Sequence, residues 1–278
     1  MNTKCPSCNS TKIIKKGYYT TSHNHQPIPR YRCKICHKNF SSHTNRETFG
    51  QHRPDLNQSI FELASSSVTM RRIAILVGCA RGTVERKLKY ISEVVAKIHT
   101  ENLSKMNVEQ VQIDEMETYQ ETKCKPLSIS LAVDKRTGNI IDAQVAKMKC
   151  KGKLAPISQR KYPYWIEDTR SDACRKIIES VKLASNENVI IISDAKKSYP
   201  NIIKSVIPSA NIQQFKAKDN KEFDSLFQIN HVSAKIRADL SRMRRRTWAC
   251  TKKWENLQRH LLIYIAWNNK YELKLNWV

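Results

Sequence analysis

The chain has 278 residues, carries 49 Lys and Arg against 25 Asp and Glu, and has a formal net charge of +24 with a pI near 9.8. That length suggests about two domains, and positive charge spread along the whole chain points to an acidic polymer as partner. No run approaches the roughly 20 apolar residues of a transmembrane helix and no leader-like segment opens the chain, so nucleic acid fits better than a membrane. Six glycines and nine prolines argue against a low-complexity chain, and no internal repeat is visible.

The first element is marked by cysteines. "KCPSC" at 4–8 is answered by "RCKIC" at 32–36, so Cys5 and Cys8, and Cys33 and Cys36, form two C-x-x-C pairs. Four thiolates suit a tetrahedral Zn²⁺ in a closed, structural shell, and a short segment with few large apolar residues needs such a staple. The intervening "KKGYYTTSHNHQPIPRYR" reads as two strands around a polar loop. The expectation for 1–48 is therefore a zinc ribbon. With the shell complete, His23, His25 and His37 read as solvated or facing nucleic acid. The other cysteines, Cys79, Cys124, Cys150, Cys174 and Cys250, are unpaired in spacing and indicate a reducing, cytoplasmic setting.

"FSSHTNRETFGQHRPDLNQ" carries turn formers and mixed charge and reads as a linker. Beyond it, apolar residues at Ile60, Leu63, Ala64, Ile73, Leu76, Val84, Leu88 and Ile91 recur at helical spacing, broken at "SSSVT" and "VGCARG". Three helices are predicted within 49–104. The last two, joined near Gly78, have the form of a helix-turn-helix. Arg81, Thr83, Arg86 and Lys87 are then expected on the open face of the second, where base and phosphate contacts belong.

From about residue 108 the pattern changes. "VEQVQIDEMETY" alternates as a strand, and "KPLSISLAVDKRTGNIIDAQVA" follows as two more strands joined by a turn at "KRTGN". A helix is predicted in "SDACRKIIESVKLASNE", then an apolar strand in "NVIIISD" that ends at Asp194 and enters another helix. A meander followed by alternating strands and helices indicates a mixed α/β sheet over 105–278. A carboxylate on the first strand, Asp114, and another at the end of the fourth, Asp194, is the arrangement of a ribonuclease H-like core. Such a pair suits two divalent ions, Mg²⁺ or Mn²⁺, acting on a phosphodiester. Glu115 and Glu117 are neighbours, but alternation turns Glu115 to the face opposite Asp114 and Glu117 lies off the metal side.

"NHVSAKIRADLSRMRRRTWACTKK" at 230–253 resembles the C-terminal motif of bacterial insertion-sequence transposases of the IS-one type. Arg237, Arg242, Met243, Arg245, Arg246, Thr247, Thr251 and Lys252 stand at or close to the matching positions. The cysteine pairs, the helix-turn-helix, "DEMET" and "SDAKKSY" are similar to consecutive parts of such an enzyme, so the resemblance runs along the whole chain. It implies three domains and a metal-dependent transposase that cuts and joins double-stranded DNA at its element's ends, working as a homo-oligomer in the bacterial nucleoid.

One position departs from the family. Where its catalytic Glu stands, this chain has Asn230, 36 residues after Asp194. The resemblance thus implies an Asp114, Asp194, Asn230 set, as in related Asp-Asp-Asn groups. An amide oxygen can coordinate Mg²⁺ but brings no charge. Glu222 or Asp224 is the alternative third ligand. The arginine-rich helix, with Arg237, Arg242, Arg245, Arg246 and then Lys252, is expected to grip phosphates. Trp248, Trp254, Trp267 and Trp277 are expected to pack C-terminal helices on the sheet, with base stacking a second role for Trp248. The alternative function is a decayed or domesticated transposase that binds DNA as a regulator.

Overall fold

The computed structural model describes residues 3–21, 24–44, 46, 48–215, 225–244 and 248–275. They fall into two compact units, residues 1–58 with 274–278, and residues 59–273.

In the first unit, β1 (Ile13–Thr21) pairs antiparallel with β2 (Asn24–Cys33), which pairs with a short third strand, β3 (Asn39–Ser41). Two strands were expected. Three residues are too few to show alternation, and what recruits β3 is Phe40, cross-strand partner of Tyr31 with ring centroids 5.5 Å apart. Phe40 buries against Cys5 and Cys33 in a cluster of its own. The stretch expected to be a linker is ordered in its described part, with His43 and Thr48 buried. Asn57 closes the unit by donating from Nδ2 to the Leu275 carbonyl at 2.8 Å.

All but the first two residues of α1 (Asn57–Ala64) belong to the second unit, which continues with α2 (Met70–Leu76) and α3 (Arg81–Leu103). The Thr69 hydroxyl caps α2 by accepting from Arg72 N, and Gly78 takes a φ of 63° in the turn before α3. Next come β4 (Val108–Tyr119), β5 (Pro126–Asp134) and β6 (Ile140–Lys147), an antiparallel meander. They are followed by α4 (Ala155–Lys161), α5 (Arg170–Ala184), β7 (Ser185–Asp194), α6 (Tyr199–Val206) and β8 (Asn211–Phe215). The strand order is β6-β5-β4-β7-β8, with β7 and β8 parallel to β4. Last come α7 (Phe227–Asp239) and α8 (Trp254–Asn268).

The sheet is covered on both faces. Met116, Leu127, Ile129 and Leu131 meet Ile229, Val232 and Leu261 of α7 and α8, while Val111, Ile113, Ala132 and Ile141 meet Ile177, Ile178 and Ile203 of α5 and α6. This explains "LSISLAV" in β5: the strand is buried from Leu127 to Asp134, so its run is almost wholly apolar or small. The mixed α/β sheet is as expected, with α4 and β8 added.

The arginine-rich helix is shorter than expected. It stops at Asp239, and Arg242 sits in a 3-10 turn at Ser241–Met243. The helix ends because Leu240 takes an extended backbone, φ −100° and ψ 111°, and both Leu240 and Met243 still bury in the α7–α8 core. Among the described residues, no helix is long and apolar enough to cross a membrane.

Candidate functional site

The four N-terminal cysteines converge. Their sulfurs all lie within 4.8 Å of one another, with Cys5 Sγ 3.6 Å from Cys36 Sγ and Cys8 Sγ 3.5 Å from Cys33 Sγ. Sulfurs at about 2.3 Å from a zinc ion would be about 3.8 Å apart along a tetrahedral edge. The cluster could hold a structural metal such as zinc. Each half is the same turn. The residues after the second cysteines, Asn9 and His37, both take left-handed φ values of 54° and 57°. Asn9 N donates to the Cys5 carbonyl at 2.8 Å. The Cys33 thiol is held low, at about 6, chiefly by a backbone hydrogen bond from Cys36, against the upward push of burial. Asn or His as the next residue after C-x-x-C is the signal that sequence reading passed over.

In the second unit, Asp114 and Asp194 come together. β4 and β7 run parallel with Ile113 level with Ser193, so the next residues on each strand, Asp114 and Asp194, share one face. That face bears α7, because Gln112, two residues before Asp114, accepts from Ile229 N at 2.7 Å and donates to the Ser225 carbonyl at 2.7 Å. Asp114 is pushed up to about 6, first by desolvation, with the charges of Asp194 and Glu115 adding and Lys196 opposing. Its Oδ1 accepts from Glu115 N at 2.7 Å. Asp194 Oδ1 is buried with no hydrogen-bond partner. A buried carboxylate oxygen without a donor, beside a second carboxylate, fits hard-cation ligation.

Glu115 lies on the opposite face, as alternation requires, and forms an ion pair with Lys196 in the turn after β7. The Ser128 hydroxyl donates to its second oxygen at 3.2 Å. Exposed Glu117 pairs with Lys151.

Asn230 lies in the first turn of α7, exposed, beside buried Ile229. Gln228, on the other flank of Ile229, approaches Gly138 in the β5–β6 turn, so helical periodicity puts Asn230 on the flank towards β7. Arg237, near that flank, donates to the Glu117 carbonyl at 3.3 Å. His231 stacks on Phe227 with centroids 6.0 Å apart. Glu222, Asp224, Arg245, Arg246, Thr247 and Trp277 lie outside the described residues.

Of the expected nucleic-acid contacts, Arg81 and Arg86 are exposed at the start of α3 and Thr83 is half-buried. Lys87 is a correction. It is buried rather than on the open face, because it falls in the Val84, Leu88, Ile91 stripe that packs inwards at three- and four-residue spacing. Arg242 is half-buried and Lys252 exposed. Trp254 packs against the core as expected, but Trp248 is 99 % exposed, since the described chain around it belongs to no helix or strand that could press it on the sheet. No protein-family model matches the sequence.

Proposed function

We propose that this protein is a DNA transposase with a ribonuclease H-like catalytic domain, bound to the ends of its element through a zinc ribbon and a helix-turn-helix. The observation that carries the reading is the pairing of Asp114 with Asp194 on adjacent parallel strands, one raised to about 6 and the other with an unsatisfied buried oxygen. Without a cation, two desolvated carboxylates in a chain of net charge +24 repel each other and any phosphate. With one, they become a phosphodiester-processing site.

Asp114 and Asp194 would hold Mg²⁺ or Mn²⁺, with Asn230 contributing a neutral amide oxygen. The bound metal would supply Lewis-acid stabilisation of charge on the phosphate and its leaving oxygen. The remaining work falls to the chain. Lys196 balances Glu115 and draws Asp114 towards its ionised, ligating form. Arg81 and Arg86 of α3 would position duplex DNA through base edges and phosphates. Arg237, which reaches the Glu117 carbonyl on β4, would neutralise the strand being cut. Transposition joins two ends, which implies a dimer or larger assembly.

The test is Mg²⁺- or Mn²⁺-dependent cleavage and joining of DNA carrying the element's flanking ends, with wild type beside Asp194→Ala. Activity lost in the variant, with end binding retained, supports the reading. Tight end binding with no cleavage by either protein would move the assignment to a DNA-binding regulator.

A further inference from the structure

A cleft of about 470 Å³ lies between α2, the start of α3 and residues of two described stretches, 241–242 and 248–260. Among the described residues four cations line it, Arg71, Arg81, Arg242 and Lys252, and no carboxylate does. An adjoining hollow of about 250 Å³ shares Arg242 and His260 with it and adds Arg86, Lys89 and Arg259 against one acid, Glu85.

Arg242 is the group that needs an explanation. Among the described residues it has no ion pair and no hydrogen bond. Asp239, the acid nearest in sequence, accepts from the Tyr264 hydroxyl at 2.7 Å instead. Desolvation pulls the guanidinium down to about 10. His260 offers no relief: burial, then the charge of Arg242, pushes it down to about 3, so the ring is neutral. Its Nε2 bonds the Ala64 carbonyl at 2.9 Å and its Nδ1 has no partner.

A desolvated cation with no counter-charge is costly unless an anion arrives. The planar fork of Arg fits a phosphate oxygen pair. Trp248, 99 % exposed, borders the same cleft. An aromatic face beside a cationic groove is how single strands are held without regard to sequence.

We propose that this cleft binds a single nucleic-acid strand, with a backbone phosphate on Arg242 and the adjacent base stacked on Trp248. The site rests on the nucleic-acid partner of the transposase reading but not on its chemistry. It gives an unpaired end or flank a seat separate from the Asp114–Asp194 pair.

The experiment uses the full chain without added divalent metal and a fluorescent twelve-nucleotide thymidine strand, followed by anisotropy and tryptophan emission. Wild type is expected to bind with quenching. Arg242→Gln should weaken binding roughly tenfold while raising the thermal midpoint, since a half-buried charge with no counter-charge is removed. Arg242→Lys should fall between. Trp248→Ala should lose most of the quenching. Lys182→Gln, an equal charge change on the exposed face of α5, should bind as wild type. Equal losses for Lys182→Gln and Arg242→Gln, or wild-type binding and quenching in Arg242→Gln and Trp248→Ala, would overturn the site. Because cleavage is never read, a failed cleavage assay leaves this result standing, and a failed strand site leaves the test of Asp194 intact.

Discussion

Glu115 and Lys196 form an ion pair across β4 and the turn after β7, on the face of the sheet opposite Asp114. The lysine therefore balances one carboxylate by contact and a second, Asp114, at longer range. Three acids and one cation gathered where β7 ends beside the middle of β4 make the protonation of Asp114 the sensitive quantity of the site.

The folded pKa of Asp114, about 6, stands above its ordinary 3.8. Between those values the folded protein holds a proton that the unfolded chain has released, so Asp114 lowers stability as pH rises through this window. A shift of about two units corresponds to roughly 3 kcal/mol. Asp114→Asn should thus gain on wild type by roughly 2–3 kcal/mol at pH 7 and by little at pH 4 in urea unfolding without divalent ions. A difference independent of pH would contradict the assignment.

Removing the opposing charge should act in the other direction. Lys196→Met leaves Glu115 without its ion pair and raises Asp114 further. The acid limb of metal-dependent cleavage should then move to higher pH, by about half a unit or more. A profile that keeps its acid limb but loses overall rate would assign Lys196 to substrate contact instead.

For the cysteine cluster, Cys33→Ser should remove bound zinc, measured by metal analysis, because among the described residues the cluster holds four ligands and a tetrahedral ion needs all of them. The ribbon should lose its cooperative fold, while residues 59–273 keep their own unfolding midpoint. Full retention of zinc would refute Cys33 as a ligand.

Gly138 combines a φ of +74° with a close neighbour, since a Cβ there would stand 2.1 Å from Gln228 Nε2. Gly138→Ala should cost about 1–2 kcal/mol from the left-handed backbone, plus the displacement of Gln228. Adding Gln228→Ala should restore the steric part alone. Full restoration in the double variant would show that the backbone carries no strain.

Neighbours on α3 should behave differently. Arg86→Ala, at an exposed position, should lower DNA affinity several-fold with stability within about 0.5 kcal/mol of wild type. Lys87→Glu should chiefly lower the thermal midpoint, because the residue is 5 % exposed in the inward stripe. Loss of DNA affinity at unchanged stability in the Lys87 variant would put it back on the DNA face.

Patterns that repeat over short distances were legible in the sequence. The two C-x-x-C turns, the helical spacing through Ile91, the alternation around Asp114 and the apolar run into Asp194 each follow from local chain geometry, and each appears as an element or a cluster. At Lys87 the three- and four-residue spacing of the buried stripe turns the side chain inwards, against the expected open face. The strand β3, the helix α4 and the strand β8 were not seen, being too short to show a period.

Only the tertiary structure decided what depends on contacts far apart in the chain. Parallel pairing of β4 with β7 set Asp114 level with Asp194 across 80 residues. The extended backbone at Leu240 ended α7 early and left Arg242 desolvated without an acid, where the sequence suggested one more turn of a basic helix. The reason is physical: period and turn chemistry act within a few residues, whereas pKa values, strand register and the loss of solvent arise from neighbours that only the folded chain brings together.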